Sequence, residues 1–100
     1  MAKTRRQIDQ QVERAIVDLL ERRGPTSSIC PSDAARAAYD GQDDGWRHLM
    51  EATRRAAWRL VEAGAVEITQ AGRPVTESEV HGPIRIRRTR PGPDPSARLR

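Results

Sequence analysis

The sequence is poor in the residues that build large cores and covalent frameworks. Its 100 residues contain one cysteine, no phenylalanine and only three aromatic side chains, Trp46, Trp58 and Tyr39. One cysteine excludes an internal disulfide, and a single thiol is typical of a reducing compartment. Because so short a chain buries only part of its surface, we expect one domain with a small core and no deep substrate cavity.

Long apolar runs are also missing. No segment approaches the roughly 18 to 20 apolar residues that a membrane-spanning helix needs. The segment MAKTRRQIDQ lacks the apolar centre of a signal peptide. The sequence therefore predicts a soluble, cytoplasmic protein that makes no contact with membranes.

Lysine is nearly absent, and the basic charge is carried by arginine in an uneven distribution. The formal net charge is +4, and Lys3 is the one lysine among 18 basic residues. Residues 84–100 contain six arginines and one aspartate, a net +5, whereas residues 1–83 contain 12 basic and 13 acidic residues, a net −1. The total charge permits a nucleic-acid partner, but a basic segment beside a nearly neutral body is a weaker indication than a basic face.

The first predicted helix is the segment TRRQIDQQVERAIVDLLERRG. Thr4 and Gln7 have the spacing of a capping box, and Gly24 followed by Pro25 is a typical helix end. Apolar residues recur on one face at intervals of three and four, as a helix buried on one side requires. These are Ile8, Val12, Ala15, Ile16 and Leu19.

Two further helices are predicted. Ser32 is expected to cap a short alanine-rich helix, DAARAAYD, in which Asp33 favours the positive end of the helix dipole. After the segment DGQDDG, Asp43 or Asp44 is expected to cap a third helix, WRHLMEATRRAAWRLVEAG, that ends at Gly64. The predicted apolar side of this helix consists of Trp46, Leu49, Met50, Thr53, Ala57, Leu60 and Val61.

Short strands complete the predicted fold. Ile29 and Cys30 are expected in a first strand between two prolines, and residues 66–69 and 84–87 alternate apolar and polar side chains as two later strands. The link between these two, about 14 residues, is expected to be a long loop. This order predicts a mostly α-helical winged helix-turn-helix over residues 4–88, in which the last two strands form the wing. Residues 89–100 are rich in proline and arginine and predict a disordered tail.

The chain also resembles a known family. Four ordered blocks carry the resemblance: ICPSDAARA, then WRHLM with RRAAWRL, then EITQAGRPV, and GPIRIR. Together they look like a family of small bacterial proteins of unknown function with a winged-helix fold, over roughly residues 8–87. The resemblance implies the fold and carries no activity, so a DNA-binding role rests on analogy between folds.

The lone thiol of Cys30 allows two interpretations. A cysteine close to a helix N-terminus can have a lowered pKa and act as a nucleophile. However, Cys30 follows Ile29 in an apolar stretch, and the carboxylate of Asp33 would oppose a thiolate. Because free cysteine is often simply buried, we favour a structural role.

Other chemistry has little support in the sequence. Cys30, His48 and His81 show none of the short paired spacings that zinc sites use. The segment GQDDG has neither the lysine of a phosphate-binding loop nor the ligand pattern of an EF-hand. The sequence therefore predicts no metal, no cofactor and no enzymatic activity.

The outer side of the predicted third helix is the main candidate site. In winged-helix proteins this helix usually enters the major groove, where arginine can bind guanine edges or phosphate. The candidates are Arg47, Arg54 and Arg55, and Trp58 on the same side could pack under the wing or stack on a partner. Alternatively, Glu51 and Glu62 could pair with arginines of the same helix and leave a merely solvated face.

The predicted wing supplies the remaining candidates. Arg73, beside Gly72, is placed to contact backbone phosphate, and the nucleic-acid set is completed by Arg85, Arg87 and Arg88. Cross-strand pairing with Glu67 would instead account for Arg85 and Arg87.

Two functions follow from these candidates. The leading hypothesis is binding to duplex DNA through the third helix and the wing. The alternative is a protein-interaction module that uses Trp58 or apolar surface of the first helix around Val17 and Leu20. The sequence does not determine the oligomeric state.

Overall fold

The computed structural model describes residues 3–89, in which three α-helices precede most of a small sheet. The predicted disordered tail, residues 89–100, therefore lies outside the described residues, apart from Thr89. Two short 3₁₀ helices also occur, Asp44–Leu49 and Glu77–Glu79. The main elements in chain order are α1 (Arg5–Arg23), β1 (Ser28–Ile29), α2 (Pro31–Ala38), α3 (Met50–Glu62), β2 (Val66–Gln70), β3 (Arg73–Pro74) and β4 (Arg85–Arg88).

The four strands form one antiparallel sheet in the order β1–β4–β2–β3. The predicted pairing of the two later strands is confirmed, because Glu67 lies opposite Arg87 and Ile68 lies opposite Ile86. The first strand joins the same sheet, with Ile29 opposite Ile86. A mostly helical chain with this small sheet confirms the predicted fold class and is compatible with a winged helix.

The core lies between the helices and one face of the sheet. Ile16, Ile29, Ile68 and Ile86 are at most 1% exposed. The alternation in β2 and β4 turns their isoleucines inward, since successive strand residues point to opposite faces. Alanines of α2 and α3 are also buried and let the helices approach closely; they are Ala34, Ala35, Ala38, Ala52, Ala56 and Ala57.

The start and end of α1 confirm the sequence prediction. Thr4 Oγ1 accepts a hydrogen bond from the Gln7 N–H at 3.2 Å, and Gln7 Oε1 accepts one from the Thr4 N–H at 2.9 Å. This reciprocal capping box satisfies two N–H groups that have no partner within the helix. At the other end Gly24 has a φ of 97° and its N–H donates to the Leu20 carbonyl.

The start of α2 differs from the prediction. Cys30, not Ser32, is the N-cap residue, and Pro31 occupies the first helical position. The fixed φ of proline suits this position, where its missing N–H costs no hydrogen bond. Asp33 reinforces this start because its Oδ2 accepts from the Cys30 N–H at 3.1 Å. Cys30 therefore lies just outside β1, although the sequence placed it in the strand.

Asp33 links the start of α2 to α1 through Arg23 Nη1, which lies 3.3 Å from its carboxylate. Partial burial alone would raise the pKa of Asp33, but hydrogen bonding with Cys30 and the Arg23 charge outweigh it and lower the pKa below 3.8. A lowered folded-state pKa contributes stability above the unfolded-state pKa, and this contribution disappears as the pH falls through the folded-state value.

We therefore expect Asp33→Asn to reduce the free energy of unfolding at neutral pH but to have little effect well below pH 4, roughly the ordinary pKa of aspartate. Urea denaturation across this pH range measures the difference. Asp18→Asn is the matched control, because Asp18 is exposed. A pH-independent loss for Asp33→Asn would show that the carboxylate charge is not what stabilises this junction.

The third predicted helix is divided in two. Residues 44–49 form the 3₁₀ helix, capped by Asp43, whose Oδ1 accepts from the Gly45 N–H at 3.0 Å. Asp43 also accepts a hydrogen bond from the Tyr39 hydroxyl, and the Tyr39 ring lies so close to Gly45 that a Cβ there would collide with it. Glycine is a poor α-helix former. Consequently α3 begins only at Met50, and Trp46 and Arg47 belong to the 3₁₀ helix.

The link between β2 and β4 is more ordered than predicted. Ala71 and Gly72 have φ values of 53° and 79°, the left-handed conformation that two-residue hairpin turns require. They connect β2 to β3, so a tight hairpin stands where the sequence predicted only a long loop. No helix within residues 3–89 is long and apolar enough to cross a membrane.

Candidate functional site

The outer side of α3 carries both signs of charge. Arg54 is exposed and Arg55 half-buried, and Glu51 and Glu62 are exposed on the same helix. Within residues 3–89 neither arginine forms an ion pair, and neither does Arg47. The ion pairs with Glu51 that could have neutralised this side are therefore not formed.

Arg59, which could have paired with Glu62 of the same helix, instead forms an ion pair with a residue of α1. Its Nη2 lies 3.2 Å from Glu13 Oε2 on α1. This contact joins the flank of α3 to α1, which explains why Arg59 is not available on the outer side. The remaining outer arginines of α3 are thus Arg54 and Arg55.

Arg47 is held by an aromatic ring. Its guanidinium carbon lies 4.7 Å from the centroid of Trp46, and that of Arg36, from α2, lies 4.4 Å from the same centroid. Cations are attracted to the electron-rich face of an indole ring. Trp46, which the sequence placed on the apolar side of the third helix, is thus only half-buried and positions two arginines near the end of α2.

The wing arginines divide into two groups. Arg85 donates from Nε to Ser28 Oγ at 3.0 Å and from Nη2 to the Ser28 carbonyl at 2.8 Å. Arg87 Nε lies 3.6 Å from Glu67 Oε1, as expected from the alternative in which Arg87 pairs with Glu67 across the strands. Both arginines therefore bind neighbouring strands of the sheet. Pairing with Glu67 is confirmed for Arg87 but not for Arg85, which binds Ser28 instead. Arg73 and Arg88 are exposed.

Trp58 lies beside a groove of about 650 Å³ between the start of α2, one side of α3 and residues 80–84. It is half-buried and packs against the core. Residues 80–84, which precede β4, line the same groove, so packing under the wing and stacking on a partner both stay predictions for Trp58. The groove is lined by Cys30, Pro31, Ser32, Met50, Arg54, Trp58, Val80, Gly82, Pro83 and Ile84.

The side chain of Gln70 holds the wing side of this groove in place. Its Nε2 donates to the carbonyls of His81 and Pro83 at 2.6 and 3.0 Å, and its Oε1 accepts from the His81 N–H at 3.2 Å. These bonds tie residues 81–83 to the end of β2. No simple sequence pattern indicates this contact, because it joins residues on either side of the β3 hairpin.

Cys30 is half-buried, and its Sγ lies 2.9 Å from Ser32 Oγ. Neither histidine hydrogen-bonds to this thiol in the part of the chain that the structure describes. Among the same residues no group of three or more His, Cys, Asp or Glu side chains could hold a metal ion. Within residues 3–89 the thiol thus has the Ser32 hydroxyl and the Asp33 carboxylate as its polar neighbours and neither histidine as a partner.

Three α-helices, one antiparallel sheet and an arginine-bearing third helix define a small protein of winged-helix-compatible architecture. A family profile described as "Protein of unknown function (DUF3253)" matches residues 9–89, and the chain belongs to that family. A search of curated proteins found no match. The predicted membership of a family of unknown function is thereby confirmed, while the bacterial source stays a prediction.

Proposed function

We propose that this protein binds duplex DNA, with α3 in the major groove and the wing contacting phosphate. The observation that carries the proposal is the outer side of α3, where Arg54 and Arg55 have no ion-pair partner among residues 3–89. Arginine in this position can bind guanine O6 and N7 with two hydrogen bonds. Support also comes from the fold, by analogy with winged-helix proteins that place their third helix in the groove.

The mixed charge of α3 favours reading of bases over general attraction to phosphate. Glu51 and Glu62 balance the two arginines, so the helix has little net charge to attract DNA at a distance. A carboxylate can, however, accept a hydrogen bond from cytosine N4 in the major groove. Arg47 and Arg36, held by Trp46, are the candidates for phosphate contact beside α2.

In the wing we assign phosphate contact mainly to Arg73 and Arg88, which are exposed. Arg85 and Arg87 already bind Ser28 and Glu67, so contact with DNA would compete with those interactions. The residues assigned to phosphate contact are then Arg36, Arg47, Arg73 and Arg88. Because these are few, we expect the DNA affinity to depend only shallowly on salt concentration. Four phosphate contacts correspond to a slope of log K against log salt of about −4.

Fluorescence anisotropy with a labelled random-sequence duplex tests this proposal. We expect binding at about 50 mM salt that weakens about 100- to 300-fold by about 200 mM, as that slope implies. The same titration is run on a variant that lacks residues 90–100, which carry three arginines and one aspartate. Absence of binding at low salt, or its complete loss on removal of that segment, would contradict the assignment to α3 and the wing.

A protein-interaction role is the second proposal, supported by the position of Trp58. This large side chain is only half-buried and lies beside Met50 and Val80 in the groove. On α1, by contrast, Leu20 is buried and only Val17 is exposed among the large apolar residues described. A partner retained by the wild-type chain and by Val17→Ala but lost by Trp58→Ala would support this role; retention by the wild-type chain and both variants would count against it.

We further propose that the protein is not an enzyme and acts in the cytoplasm. The first rests on the surroundings of Cys30, where among the described residues neither histidine hydrogen-bonds to the thiol and the sulfur contacts the Ser32 hydroxyl. The second rests on the single unpaired cysteine of the sequence, which suits a reducing compartment.

A further inference from the structure

The groove beside Trp58 has the dimensions of a small-molecule site. Its volume of about 650 Å³ lies within the range of roughly 300–1,000 Å³ that such sites occupy. Its walls come from three separate parts of the chain, namely the start of α2, the side of α3 that carries Met50, Arg54 and Trp58, and residues 80–84. A concave site formed in this way can surround a ligand on several sides.

The lining is apolar apart from one cation and a few small polar groups. Six side chains are apolar, namely Pro31, Met50, Trp58, Val80, Pro83 and Ile84, and Arg54 is the one charged residue that lines the groove within residues 3–89. Among the described residues no carboxylate lines the groove and none forms an ion pair with Arg54. The groove therefore complements a molecule that is mostly apolar and negatively charged at one end.

Other polar groups near the groove already have partners. Cys30 Sγ and Ser32 Oγ contact each other at 2.9 Å. Gln70 Nε2 occupies the carbonyls of His81 and Pro83 and thereby fixes residues 81–83. The guanidinium of Arg54 is the strongest polar group left to fix the orientation of a ligand, as a few placed polar groups do in apolar sites.

We propose that this groove binds a small molecule with a flat apolar body and one anionic group, such as an aromatic carboxylate or sulfonate. The indole ring of Trp58 offers a face on which a flat body can stack. Arg54 binds the anionic oxygens with charge-assisted hydrogen bonds, which are stronger than neutral ones. The proposal does not depend on DNA binding, because both side chains are in place without nucleic acid.

Two dyes with related bodies test the proposal. 1-Anilinonaphthalene-8-sulfonate carries an anionic group, and N-phenyl-1-naphthylamine has the same aromatic body without it. The full-length chain is used in a Trp46→Phe background, so that the fluorescence of Trp58 alone reports on binding. We expect the sulfonate dye to quench Trp58 with saturation.

The variant Arg54→Gln separates charge recognition from apolar contact. We expect it to weaken binding of the sulfonate dye about 5- to 20-fold and to change that of the neutral dye less than about twofold. Arg22→Gln is the matched control: it removes the same charge from an exposed residue of α1 outside the groove and should leave both affinities unchanged. Thermal melts monitored by circular dichroism confirm that each variant is folded, since partly unfolded chains also bind the sulfonate dye.

Three results would overturn the proposal. They are failure of the sulfonate dye to quench Trp58, equal weakening of both dyes by Arg54→Gln, and equal effects of Arg54→Gln and Arg22→Gln. The second of these would point instead to a groove that accepts apolar side chains of a protein partner. Because no DNA is present in the assay, none of these results depends on the proposed DNA binding.

Discussion

Replacing Ile86 with alanine is expected to lower the free energy of unfolding by about 2–5 kcal/mol. Ile86 is 0% exposed and lies in β4 between Ile29 of β1 and Ile68 of β2. Truncation removes buried methyl and methylene groups and leaves a cavity where strands from distant parts of the chain meet. Neighbouring atoms can fill this cavity only in part, since two hydrogen-bonded strands hold β4 in place.

This loss is large for so small a protein, because domains of this size are typically stable by only about 5–15 kcal/mol. Urea denaturation followed by far-UV circular dichroism measures it. Val17→Ala is the matched control, because Val17 is 37% exposed on α1 and should change stability by no more than about 0.5 kcal/mol. Equal losses in the two variants would show that the contact of β4 with β1 and β2 does not dominate the core.

Features set by neighbouring residues could be predicted from the sequence. The capping box of Thr4 and Gln7 depends on two residues three positions apart, and both hydrogen bonds are present. The alternation in β2 and β4 predicted which face of each strand is buried, with Ile68 and Ile86 turned inward. Period and spacing sufficed here because the helix or strand itself determines these directions.

The starts of two helices were predicted less well, because neighbouring residues there favour different caps or different backbone geometries. Ser32 is a good capping residue, but Pro31 suits the first helical position and moves the cap to Cys30. Trp46 fits the apolar period of the third helix, but Gly45 and the cap by Asp43 produce a 3₁₀ turn there. In both places one residue with special backbone or capping properties changed the geometry that the wider pattern indicated.

The candidate site shows the same division. The helical period predicted that Arg54, Arg55 and Trp58 share the outer side of the third helix, whereas in the structure Arg54 is exposed, Arg55 is half-buried and Trp58 packs against the core. Tertiary contacts, by contrast, could not be found from spacing, because Arg36 and Trp46 are joined through a loop, and Arg85 and Ser28 are 57 positions apart. These contacts decide which arginines are held by the fold and which are available to a partner.

The double variant Arg54→Gln with Arg55→Gln is expected to weaken binding to a preferred duplex by about 30-fold or more. This follows if each arginine contributes about 1–3 kcal/mol of base recognition. The preferred duplex is first selected from a random-sequence library with the wild-type chain, and affinities are then measured by anisotropy at one fixed salt concentration. Glutamine retains much of the length and helix propensity of arginine while removing its charge.

The control is a double variant of α1, Arg14→Gln with Arg22→Gln, because both arginines are exposed and the same two charges are lost. If α3 reads bases, the α1 variant should lose less than about threefold in affinity, since distant exposed charges act only through screened, long-range attraction.

The salt slope then distinguishes the two roles open to Arg54 and Arg55. Loss of two phosphate contacts would make the slope shallower by about 2, whereas loss of base contacts would leave it unchanged and reduce discrimination between sequences. Equal weakening by the α1 and α3 variants would mean that α3 adds only charge and that the helix does not read the major groove.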